Sequence, residues 1–105
     1  MVYKTFQDLK LSALGMGCMR LPVLNGDDAK VDEKAAAEMV GYAMAHGVNY
    51  YDTAWPYLGG TSEPFVGEAL SRYPRDSFFL ASKMPVWLVE SEADFERIFE
   101  EQLVR

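Results

Sequence analysis

Three short apolar runs, LSALGMGCMRL (11–21), VNYYD (48–52) and FFLASK (78–83), are each followed by a stretch with helical spacing. Strand–helix alternation of this kind implies right-handed crossovers and a parallel sheet. We therefore expect an α/β fold in one domain over residues 1–105. Its strands should lie at about 13–19, 48–52 and 78–83, and its helices at about 33–45, 63–72 and 92–104.

Local signals support each helix. Asp32 suits an N-cap, and Ala36, Met39, Val40 and Ala43 follow at i, i+3, i+4 and i+7. Gly47 stands where a left-handed residue would stop that helix. Ser62 is expected to cap the second helix, with Pro64 in its first turn, Val66, Ala69, Leu70 and Tyr73 as its buried stripe, and Pro74 as its end. Ser91 or Asp94 opens the third, which lines up Phe95, Ile98, Phe99 and Leu103. The first ten residues, with Phe6 and Leu9, and Leu11 beyond them, are expected to add a short hairpin.

Composition narrows the function. Half of the 105 residues are hydrophobic, enough for a buried core. The net charge of −6 argues against nucleic acid, which requires clustered Lys and Arg. No apolar run is long enough to span a membrane, and charges stand where a signal peptide would be apolar, so a cytoplasmic location is expected. Cys18 is the only cysteine, which excludes an intrachain disulfide and predicts a small buried hydrophobe. The acidic run from Glu90 to Glu101 reads as a solvated helix face, His46 as a cation at a helix C-terminus, and no metal site is expected.

One stretch calls for chemistry: NYYDTAWPYLGGTSE (49–63) places an acid at the end of a strand and a phenol five residues later. Side chains alternate along a strand, so Val48, Tyr50 and Asp52 are expected on one face, as are Phe79, Ala81 and Lys83 on the next. Asp52 and Lys83 then both project from the C-terminal rim, where α/β folds perform chemistry, with Tyr57 in the loop above. An ammonium beside a phenol favours the phenolate, and a carboxylate behind the ammonium keeps it charged. Such a tyrosine can serve as a general acid. The residues alone also allow an ordinary rim salt bridge and a Tyr57 ring that merely covers the core.

The segments LGMGCMRLP, AMAHGVNYYDTAWPY, GGTSEPFVGEAL and FFLASK, in this order and spacing over residues 11–85, resemble the N-terminal part of an aldo/keto reductase. WPYLGG and YPRD resemble the subgroup whose longer members add a C-terminal iron–sulfur region, although Cys18 alone could not ligate a cluster. The resemblance implies three βα units of a (β/α)8 TIM barrel, with NADPH or NADH bound at the C-terminal rim and a small aldehyde or ketone as substrate. It implies that Asp52, Tyr57 and Lys83 are catalytic, with Tyr57 the proton donor, Lys83 tuning it and Asp52 holding Lys83. It places Gly17, Cys18, Met19, Arg20 and Asp52 beside the cofactor.

The family's fourth catalytic residue, a histidine after the next strand, has no counterpart here, nor does its adenosine-phosphate clamp; the only histidine is His46. A complete barrel runs to about 250 residues, so three units leave it incomplete. The expectation is a truncated reductase with little activity alone, whose open sheet edges and inward face (Val48, Tyr50, Phe79, Ala81) drive assembly into homo-oligomers. A non-catalytic self-associating remnant and a small nucleotide-binding module are the alternatives.

Overall fold

The computed structural model describes residues 1–105. Strands β1 (Tyr3–Phe6) and β2 (Leu9–Ser12) form an antiparallel hairpin. Then follow β3 (Met16–Gly17), α1 (Glu33–Ala45), β4 (Tyr50–Asp52), α2 (Ser62–Leu70), β5 (Phe79–Ala81) and α3 (Glu92–Val104). The sheet order is β3-β4-β5, all parallel, with Gly17 opposite Asp52 and Asp52 opposite Ala81.

The helix ends follow from their caps. The Asp32 carboxylate accepts from the backbone N–H of Ala35, three residues into the chain turn, at 3.1 Å. Gly47, at φ +88°, ends α1, and a side chain there would strike the Tyr3 hydroxyl at 2.6 Å. Ser91 is the cap of α3, accepting from Asp94 N–H at 3.3 Å, while Asp94 reaches back to Glu90 N–H at 3.1 Å.

The strands are shorter than the apolar runs. Residues 13–15 leave the hairpin rather than extend β3, with Ala13 N–H still bonded to Val2 O at 2.7 Å. Val48 precedes β4, because its N–H closes the end of α1 on Ala43 O at 3.0 Å. Its side chain therefore joins the helix-side core, not the face of Tyr50, which corrects the expected alternation. Asn49 clips the hairpin to the start of β4, accepting from Ser12 N–H at 2.7 Å and donating to Lys10 O at 3.0 Å.

The core lies between sheet and helices. It gathers Cys18, Leu21, Ala36, Val40, Val48, Tyr51, Leu58, Phe65, Val66, Ala69, Leu70 and Phe78. Tyr51 is its centre: the ring meets Phe78 edge-on at 6.5 Å, and the hydroxyl donates to Val48 O at 3.0 Å. Tyr50, Phe79 and Ala81 remain half-buried on the opposite face. No helix is long and apolar enough to cross a membrane.

One helix departs from the simple alternation. Helix α2 starts at the C-terminal rim of the sheet, where Ser62 bonds to Cys18 O and Thr53. Helix α3 instead ends there: Gln102 Nε2 donates to Lys83 O at 2.9 Å, and Arg105 pairs with Glu63 at 3.0 Å.

Candidate active site

Three side chains meet at the rim. Asp52 is the last residue of β4, and the register of β4 on β5 carries Lys83 two residues past Asp52's partner, onto the same face. Lys83 Nζ donates to Asp52 Oδ2 at 2.6 Å and to Thr53 O at 2.9 Å. The same ammonium lies 4.7 Å from the centroid of the Tyr57 ring. The three residues singled out from sequence therefore form one cluster.

The pair adds little to stability. The side chains of Lys83 and Asp52 are 49% and 35% exposed, and ion pairs so open contribute only about 0–1 kcal/mol. Burial opposes the charge on Lys83, but the Asp52 carboxylate and the neighbouring Tyr57 phenol favour it, and the balance holds the ammonium above its usual range. A lysine so placed stays charged beside a phenol at neutral pH.

Tyr57 is held by an unusual turn. Its N–H bonds to Ala54 O at 3.2 Å. Leu58, Gly59 and Gly60 then take φ +55°, +62° and +87°, three left-handed residues in succession. Glycine accepts this readily; leucine does so at a cost, with its side chain buried in the core. The turn reverses the chain into α2 and leaves Tyr57 half-buried at the rim.

Ser62 does not cap α2. Its hydroxyl accepts from Thr53 Oγ1 at 2.8 Å and donates to Cys18 O at 2.8 Å, bolting the helix to the ends of β3 and β4. The N-cap position belongs to Thr61, whose hydroxyl bonds to Leu58 O instead.

The residues expected beside a cofactor divide. Met19 and Arg20 line a hollow of about 600 Å³ with Leu21, Asp28, Pro56 and Tyr57. A Cβ on Gly17 would meet nothing within 4 Å, so the backbone there faces open space. The Cys18 side chain turns away into the helix-side core, leaving only its backbone on that side. A larger hollow, about 730 Å³ between residues 24–33 and α2, includes none of Asp52, Tyr57 and Lys83. His46 sits at the far end of α1, stacked on Tyr42 at 4.1 Å with Nδ1 2.9 Å from Tyr42 O, next to the hairpin and away from the rim.

Two groups at the rim escaped sequence reasoning. Trp55 stacks under the Arg105 guanidinium at 4.2 Å. The Glu63 side chain is only 6% exposed, and Arg105 pairs with it at 3.0 Å. A glutamate in a helix's first turn normally reads as a partner of the helix dipole, so no local signal marked it as buried.

Burial, and then the nearby Asp52 carboxylate, push the Cys18 thiol from 9.0 up to about 11. At pH 8 this alone should slow its reaction with a thiol-specific dye about 100-fold against an exposed cysteine, since the thiolate is the reactive species. Because the folded-state value is raised, the associated stability is complete below pH 9.0 and fades as pH rises through about 11. Dye kinetics with and without urea check this; labelling of the folded chain at the exposed-thiol rate would refute it.

Comparison with known proteins follows the same line. The pattern of the aldo/keto reductase family matches residues 13–105. An NADH-specific methylglyoxal reductase of Escherichia coli (strain K12) is 30% identical over 101 residues, covering 93% of this chain and 30% of that protein. An L-galactose dehydrogenase of Arabidopsis thaliana is 38% identical over 78 residues, covering 71% of this chain and 23% of that protein. A crystal structure of an aldo-keto reductase from Klebsiella pneumoniae in complex with NADPH superposes with TM-score 0.74 at 26% identity, over 99% of this chain and 35% of that one. The chain thus spans 22% to 30% of the length of its curated relatives.

Proposed function

The chain belongs to the aldo/keto reductase family, its α/β architecture being part of a TIM barrel, and we propose that its rim cluster donates the proton in NAD(P)H-dependent reduction of an aldehyde or ketone. The observation that carries this reading is the Lys83 ammonium, bonded to Asp52 at 2.6 Å and lying over the Tyr57 ring.

The chemistry divides simply. A reduced nicotinamide cofactor, when bound, supplies the hydride to the carbonyl carbon. Tyr57 gives its phenolic proton to the carbonyl oxygen, so that an alcohol leaves and a phenolate remains. Lys83 stabilises that phenolate; its four-carbon stem can carry the ammonium from the ring face towards the hydroxyl, a tightening expected when substrate binds. Asp52 keeps Lys83 charged and anchored to the sheet. A nicotinamide cofactor would be held by the open backbone at Gly17 and by the hollow that Met19, Arg20 and Tyr57 line. Both NADPH and NADH remain in the proposal, since one relative is named for NADH and another structure holds NADPH.

The half-buried face of Tyr50, Phe79 and Ala81 and the unpaired outer edges of β3 and β5 favour a second property, self-association of this chain when it stands alone.

Two experiments test these readings. The chain is joined to the remaining strands of a family barrel, and NAD(P)H absorbance is followed with a reactive dicarbonyl. Consumption that depends on the carbonyl is the expected result, and its absence in a folded, cofactor-binding chimera would sink the reading. Light scattering of the 105-residue chain alone should show mass rising with concentration; a monomer throughout would refute self-association.

A further inference from the structure

We propose that the buried hydroxyl pair of Thr53 and Ser62 positions the Lys83 ammonium, by fixing the backbone carbonyl that grips it. This inference rests on the reductase reading of the rim.

Lys83 Nζ has two acceptors, Asp52 Oδ2 at 2.6 Å and Thr53 O at 2.9 Å. The two differ in kind. A carboxylate turns about its side-chain bonds and can follow the lysine, whereas a carbonyl stands where the backbone puts it. Thr53 is the first residue past β4, where the chain leaves the sheet. Its N–H is held by Ala81 O at 2.9 Å. Its hydroxyl is held by Ser62 Oγ at 2.8 Å. With backbone and side chain both tied, the residue cannot swivel. Its carbonyl points at one place, and the Lys83 ammonium occupies it.

The direction of the bonds follows from the partners. Cys18 O can only accept, so the single proton of the Ser62 hydroxyl goes there, at 2.8 Å. Thr53 must then donate to Ser62. Cys18 N–H in turn bonds to Asp52 O at 2.8 Å. A closed circuit therefore runs through Asp52, Cys18, Ser62 and Thr53. It joins the strand end beside the open space at Gly17 to the strand end that holds the ammonium. Thr53 and Ser62 are 2% and 0% exposed, so water does not compete for these bonds. The circuit and its tie to Ala81 use only β3, β4, β5, the residues just past them and the start of α2, and α3 takes no part. Those strands are parallel and α2 starts at their C-terminal rim, as a closed βα barrel requires, so the same circuit fits the complete enzyme.

The test uses the 105-residue chain and the reactivity of Lys83, a signal independent of turnover. Only a neutral amine attacks an acylating reagent, and an acceptor held against the ammonium keeps it charged. After a brief pulse of an acetylating ester, labelling at each lysine is read by mass spectrometry, with the exposed Lys34 of α1 as internal reference. Thr53→Val keeps the shape of the side chain and removes the hydroxyl. The ratio of Lys83 to Lys34 labelling should then rise roughly threefold or more, as the loosened carbonyl ceases to favour the charged form. Thr53→Ser, which keeps the hydroxyl, should restore the wild-type ratio. A ratio that does not rise in Thr53→Val overturns the proposal. So does an equal rise in Thr53→Ser, which would trace the effect to the lost methyl group, or faster labelling shared by Lys34, which would mark general loosening.

Should Thr53→Val fail to fold, Ser62→Ala decides, because it cuts the same bond from the helix side. A rise confined to Lys83 there supports the proposal, and its absence overturns it. Failure of both variants to fold overturns it too, since the pair would then be structural. Failure of the reductase reading would show elsewhere, as carbonyl turnover in the joined barrel indifferent to Tyr57→Phe, with the labelling ratios still as expected.

Discussion

Replacing Tyr57 with phenylalanine in a complete barrel is expected to lower carbonyl reduction by roughly 10²–10⁴-fold, the usual worth of a positioned general acid. Phenylalanine keeps the ring on which Lys83 rests and removes only the proton. Cofactor affinity, read by fluorescence titration, should therefore survive, and so should the fold. The loss should appear in kcat and kcat/KM together, as for an interaction made in the transition state. A variant that kept more than about a tenth of the rate would show that Tyr57 is not the acid. Weaker cofactor binding with kcat intact would instead give the phenol a role in the ground state.

The largest stability effect is expected at Tyr51, the middle residue of β4. Tyr51 is fully buried, with its ring against Phe78 and its hydroxyl on Val48 O. Truncation to alanine should cost about 3–5 kcal/mol, in line with other large aromatic truncations. That is a large share of the roughly 5–15 kcal/mol that stabilises a typical domain. Tyr51→Phe removes only the hydroxyl and should cost about 1 kcal/mol, because the Val48 carbonyl loses its partner. Urea unfolding at fixed protein concentration separates the two. An alanine variant that lost less than about 1 kcal/mol would mean that the helix-side layer is not the core. The neighbouring Tyr50→Ala serves as control, since Tyr50 lies on the half-buried opposite face.

What could be read from the sequence was local. Asp32, Gly47 and Ser91 act on residues three or four away, and their roles follow from spacing alone. The meeting of Asp52 and Lys83 followed from strand alternation once the strands were taken as parallel neighbours. What could not be read was long-range. Ser62 looks like a cap, but its hydroxyl serves Cys18, 44 residues earlier. Val48 looks like part of a strand, but α1 takes its N–H and turns its side chain inward. Glu63 looks like a surface acid, and only the return of α3 to the rim buries it. In each case a local preference gave way to a partner that local spacing does not reveal.

The left-handed turn after Tyr57 restricts how this chain can change. Position 58 must satisfy two demands that no natural side chain meets together. It must fill the core, and it must accept a backbone angle that costs leucine about 1–2 kcal/mol. Glycine would relieve the angle and leave a void, at about 2–5 kcal/mol for a buried leucine side chain. Asparagine tolerates the angle better and would bury an amide where leucine makes only apolar contacts. Valine or isoleucine would raise the backbone penalty further. Every single substitution at this position therefore leads downhill in stability. A sturdier loop requires position 58 and a core neighbour such as Phe65 to change at once, so stepwise mutation and selection should leave residue 58 fixed while the surface around it drifts.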